Sequence, residues 1–75
     1  MEIVRLHRGY ELRCTARVLD TGLFVPELQV TRQTWPTRPR VIAVPRGEHR
    51  TEQAATEAAL ETGISWVDDY GVNRA

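Results

Sequence analysis

From Tyr10 onward apolar and polar residues alternate strictly: Tyr10, Leu12, Cys14, Ala16 and Val18 on one side, Glu11, Arg13, Thr15 and Arg17 on the other. A period of two marks a strand with one buried and one wet face, and it sets a strand at about residues 8–19. Asp20, Thr21 and Gly22 carry turn chemistry, with glycine available for positive φ, so the chain reverses. A second strand follows at about 23–34, with Phe24, Leu28 and Val30 on one face and Val25, Glu27, Gln29 and Thr31 on the other. Pro26 shares the Phe24 side. Because proline donates nothing to a ladder, its nitrogen must face outward or sit at a bulge. Residues 35–40, WPTRPR, hold two prolines and read as a loop. The apolar run beginning at Val41 predicts a short third strand at about 41–45, with Pro45, Arg46 and Gly47 ending it. Upstream, His7, Arg8 and Gly9 read as a bend or bulge, and residues 1–6, with Ile3 and Val4 as apolar content, leave room for a short extra N-terminal strand.

At Thr51 the period changes to that of a helix, predicted over about 51–70. Thr51 suits an N-cap, because its hydroxyl can accept from a first-turn N–H, and Glu52 places negative charge at the positive end of the dipole. Ala55, Ala58, Ala59, Thr62, Trp66 and Tyr70 recur at steps of three and four and share a face, which Leu60, Ile64 and Val67 widen. Small residues early and bulky ones late predict a helix close to its support at the first end and wedged away at the second. Gly63 costs about 1 kcal/mol in a helix interior. The apolar stripe keeps its phase across it, which favours a continuous helix in which glycine permits close packing.

Strand, strand, strand, helix defines an α+β fold: one domain spanning residues 1–75, a three-stranded antiparallel meander with a C-terminal helix on one face. The other face of the sheet is largely polar. At 75 residues the core supports only a few kcal/mol of stability. The single cysteine, Cys14, alternates with core residues and reads as a buried, inert thiol. No segment is long and apolar enough to span a bilayer or form a signal-peptide core, so a cytoplasmic protein is expected.

Net charge is zero, yet unevenly distributed. Residues 32–50 hold five arginines, Arg32, Arg38, Arg40, Arg46 and Arg50, against Glu48, a net of +4. Residues 51–69 hold five acids and no base, a net of −5. The simplest expectation is that the basic connector and the acidic helix meet, within one molecule or across a dimer.

Arg8-Gly9-Tyr10-Glu11-Leu12, Thr21-Gly22-Leu23-Phe24-Val25-Pro26, and the helix residues Thr51, Glu52, Ala54, Ala55, Ala58, Ala59, Gly63, Trp66 and Val67 make the chain resemble a type of small bacterial β-β-β-α protein, mostly without assigned function. More weakly it resembles HicB-type antitoxin domains. That resemblance rests on the element order, a Gly-aromatic-Val-Pro hairpin and a Thr-x-x-Ala helix start. It implies a fold like a double-stranded-RNA-binding domain without its first helix. The chain departs from that pattern in its basic, proline-bearing second connector and in having no DNA-binding segment after the helix.

Catalytic chemistry is not in evidence along the chain. His7 and His49 read as solvated loop histidines, one cysteine completes no metal site with them, and adjacent Asp68 and Asp69 diverge on a helix. A non-enzymatic protein without metal or cofactor is expected. The one constellation with binding chemistry is Arg32, Trp35, Arg38, Arg40, Arg46 and Arg50, where guanidinium groups meet anions and an indole stacks. The favoured reading is a protein-interaction or regulatory module, pairing with itself or another protein through a sheet edge or through Trp35 and Pro36. The alternative is weak nucleic-acid binding by the arginine–tryptophan segment.

Overall fold

The computed structural model describes residues 1–35, 37–45 and 47–71. Pro36, Arg46 and residues 72–75 lie outside them, and with them the expected fraying of the C-terminus, except that Gly71 closes the last helical turn. The sheet has four antiparallel strands, not three, in chain order: β1 (Ile3–His7), β2 (Tyr10–Val18), β3 (Phe24–Arg32) and β4 (Pro39–Ile42). One helix, α1 (Glu52–Trp66), crosses one face and runs on into a π-helical turn, Val67–Gly71.

The extra strand forms because His7 is not part of a bend. It pairs with Tyr10 across a two-residue turn, Arg8-Gly9, and the ladder continues to Ile3 opposite Cys14. Both turn residues have positive φ, 50° at Arg8 and 84° at Gly9, the backbone twist that suits a tight hairpin. Gly22, at φ 85°, does the same for the β2–β3 turn.

The fourth strand begins two residues earlier than the apolar run suggests. Pro39 and Arg40, expected in the loop, pair with Thr31 and Val30, and the ladder stops at Leu28 with Ile42. Pro26 explains the stop. Phe24 and His49 exchange both backbone hydrogen bonds at 2.8 Å, so the nitrogens of alternate residues Pro26, Leu28 and Val30 also face the β4 side. At Pro26 there is no donor to give. The chain therefore leaves the ladder after Ile42 and, among the described residues, pairs with β3 again at the Phe24–His49 bridge, opening a shallow groove of about 530 Å³ beside Val25, Pro26 and Val44.

Thr51 caps α1 as expected, in extended geometry, with its hydroxyl accepting from the Ala54 N–H at 3.1 Å. The helix is continuous through Gly63. Its buried stripe is Ala55, Thr56, Ala59, Gly63 and Val67, turned slightly from the expected face, so that Thr62 and Trp66 are half-buried and Tyr70 is exposed. The physical reason is shape. Leu12, Leu28 and Val30 project from the sheet as the large core side chains, so the helix presents its small residues to them and places Leu60, Ile64 and Trp66 along its flanks. The helix also lies close to the sheet in its second half, at Gly63, where a Cβ would stand 3.1 Å from Leu28 Cδ1 and 3.2 Å from Leu12 Cδ1. Thr56, the buried polar residue, donates its hydroxyl to the Glu52 carbonyl at 2.8 Å.

Candidate functional site: an arginine–aromatic end and an open strand edge

The register separates the basic segment into two places. Arg32 ends β3 opposite Tyr10, and Trp35, Arg38 and Arg40 follow at the same end of the sheet. Arg50 adjoins His49, which bridges Phe24 at the opposite end of β3, about 26 Å away at the usual rise of a strand. Arg46 lies outside the described residues. Four of the six expected residues are thus brought together, and Arg50 is not one of them.

At that end the helix supplies partners that sequence reasoning assigned elsewhere. Trp66, expected in the core, sits at its border. Tyr10 meets the indole edge-on with centroids 5.9 Å apart, Tyr70 stacks on it at 5.6 Å and 28°, and the Arg40 guanidinium carbon lies 5.9 Å over its ring. Arg40 is aimed there by strand parity, since Val30, Arg40 and Ile42 all face α1. The spacing of Trp66 and Tyr70, four apart on a helix, was a legible signal for their stack. The arginine was not, because it arrives from a strand about 25 residues away in sequence. Trp35 is 88% exposed in the bend after β3, where Arg32 Nε donates to Thr34 Oγ1 at 2.9 Å.

The expected meeting of basic connector and acidic helix does not occur within the described residues. No carboxylate among them pairs with Arg32, Arg38, Arg40 or Arg50. Three of the helix acids have other contacts: Glu52 with the Met1 amino group at 2.8 Å, Glu57 with Gln53 at 3.2 Å, and Asp68 with His7 Nε2 at 2.9 Å and Arg8 Nε at 3.4 Å. His7 is therefore a strand residue tied to the helix end, not a solvated loop histidine. Cys14 is fully buried, and burial pushes its thiol pKa up, an effect that Arg5 partly offsets. Among the described residues no group of three or more His, Cys, Asp or Glu side chains could hold a metal ion, and no helix is long and apolar enough to cross a membrane.

A second candidate lies on the outer edge of β1. In a hairpin closed by a two-residue turn the flanking pair is hydrogen-bonded, so His7, Arg5 and Ile3 bond inward to β2 while the N–H and C=O groups of Val4 and Leu6 point outward. The Val4 and Leu6 side chains lie on the sheet face away from α1, opposite Arg13 and Glu11, and are 49% and 68% exposed. The other edge is better guarded. By the same parity β4 turns Pro39, which has no donor, and Val41 outward over only four residues.

No protein-family model, curated protein or solved structure matches the chain.

Proposed function

We propose that this protein is a non-enzymatic interaction module that assembles with a second copy of itself by antiparallel pairing of β1 against β1. The observation that carries the reading is the β1 edge: two outward-facing backbone pairs flanked by two exposed apolar side chains, with Arg5 on the opposite face and neither proline nor bulge in the strand. Centred on Val4, the pairing sets Val4 beside its symmetry mate and keeps the two Arg5 guanidinium groups apart. It also extends the sheet across a two-fold axis, so the same patch serves both partners. Reactive side chains are committed to structure, Cys14 in the core and His7 on Asp68, which supports a binding and not a catalytic role.

The test is sedimentation equilibrium over a wide concentration range. The weight-average mass is expected to climb from that of the monomer toward twice that value. Val4→Lys, which sets two like charges side by side at the centre of the pairing from a solvent-exposed position, is expected to hold the protein monomeric with an unchanged far-ultraviolet spectrum. A wild-type protein that stays strictly monomeric at millimolar concentration would sink the reading.

A further inference from the structure

The arginine–aromatic end is chemically distinct from the β1 edge, and we propose that it binds single-stranded nucleic acid, with a base stacked on Trp35 and phosphates held by Arg32, Arg38 and Arg40. Three observations converge on it. An indole with 88% of its surface open stands in a bend, and an exposed aromatic plane is a stacking platform that accepts any base. Arg32, Arg38 and Arg40, at the same end of the sheet, pair with no carboxylate among the described residues, so their charge is available to an external anion. Arg40 is also pre-positioned: it lies 5.9 Å over Trp66, which Tyr10 and Tyr70 hold from two sides, and such stacking fixes a guanidinium fork without consuming its donors.

The charge layout selects the form of the ligand. Chain net charge is zero, but Arg32, Arg38 and Arg40 lie at one end of the sheet without a carboxylate partner among the described residues, while the outer face of α1 carries Glu57 and Glu61, both exposed. A duplex laid along the helix would meet those carboxylates. A single strand needs only the end and offers unstacked bases to Trp35. Asp68, the acid beside this end that is seen paired, is already engaged by His7 and Arg8. An acidic peptide would answer the arginines but would leave the indole plane without a partner, whereas alternating phosphates and bases answer both.

The experiment is a titration of the full-length chain with single strands of about ten nucleotides, a length within the usual footprint of such sites. It is read by tryptophan fluorescence and amide-resolved NMR, with duplex of the same sequence and poly-glutamate as competitors. We expect saturable quenching and shifts confined to residues 8–10, 32–40 and 66–70. Three phosphate contacts predict roughly a 20-fold fall in affinity between about 50 and 200 mM salt. Trp35→Ala is expected to weaken binding about tenfold, and Arg38→Ala to lower the salt slope by about 0.7. Arg50→Ala, at the far end, should leave both unchanged. All three positions are exposed, and an unchanged NMR spectrum outside the substituted loop establishes that each variant is folded. Absence of shifts at low salt, equal affinity for duplex, equal or tighter binding of poly-glutamate, or an equal loss in Arg50→Ala would each overturn the proposal. Because Val4→Lys blocks only the β1 edge, failure of self-association leaves this outcome intact, and the reverse holds.

Discussion

Gly63 shows most directly how one position sets the geometry of the fold. In an isolated helix alanine is better than glycine by about 1 kcal/mol. Here the added methyl would stand 3.1 Å from Leu28 Cδ1 and 3.2–3.3 Å from both Leu12 methyls, and overpacking a dense core costs about 1–3 kcal/mol. The second effect wins. Gly63→Ala is expected to destabilise by about 1 kcal/mol in urea unfolding, and a gain in stability would mean that the helix lifts freely off the sheet. Glycine was visible in the sequence as a packing residue. Which side chains it admits was not, because Leu12 and Leu28 come from different strands.

At the level of elements, the hairpins and ladders follow from a few backbone demands. The β1–β2 turn asks its first residue for φ of 50°, and that residue is an arginine. A left-handed backbone costs an ordinary side chain about 1–2 kcal/mol, whereas asparagine adopts it readily. Arg8 gives back little, since its contact with Asp68 is between largely exposed groups. Arg8→Asn is therefore expected to raise stability by about 0.5–1 kcal/mol in thermal unfolding, and a lower midpoint would show that the ion pair outweighs the strain. Alternation in β2 and β3 was legible because half of each strand faces a core. The first strand escaped it: Val4 and Leu6 are apolar on the open side, so β1 lacks the inside–outside contrast that marks a strand. The start of β4 escaped for the opposite reason. Pro39 reads as a breaker, and only its outward position on an edge makes it tolerable.

Taken as a whole, the molecule separates its two surfaces of interest. The β1 edge faces sideways from the sheet, while the arginines and aromatics collect where β3, β4 and the end of α1 meet. A two-fold pairing along β1 would leave both copies of that end uncovered. Val4→Lys is accordingly expected to bind single strands with wild-type affinity per chain. A clear loss in fluorescence titration would show instead that the two surfaces form one site.

What the sequence determined by itself are the features whose physics is local. Alternation over two long strands, glycine at a reversal, a threonine cap, a continuous helix and the α+β class all depend on residues within a few positions of one another. The tertiary structure decided what depends on register. It put Arg50 beside the Phe24 end of β3, about 26 Å from the Arg32 end, set Arg40 over Trp66, tied His7 to Asp68 across 61 residues, and left Arg32, Arg38, Arg40 and Arg50 without a carboxylate partner among the described residues. Charges adjacent in sequence share a neighbourhood only if the fold returns one to the other. Here the chain leaves the arginine end after Ile42 and is next bridged to β3 at Phe24, before the helix begins, and of the acids that return with the last helical turns Asp68 is taken by His7 and Arg8.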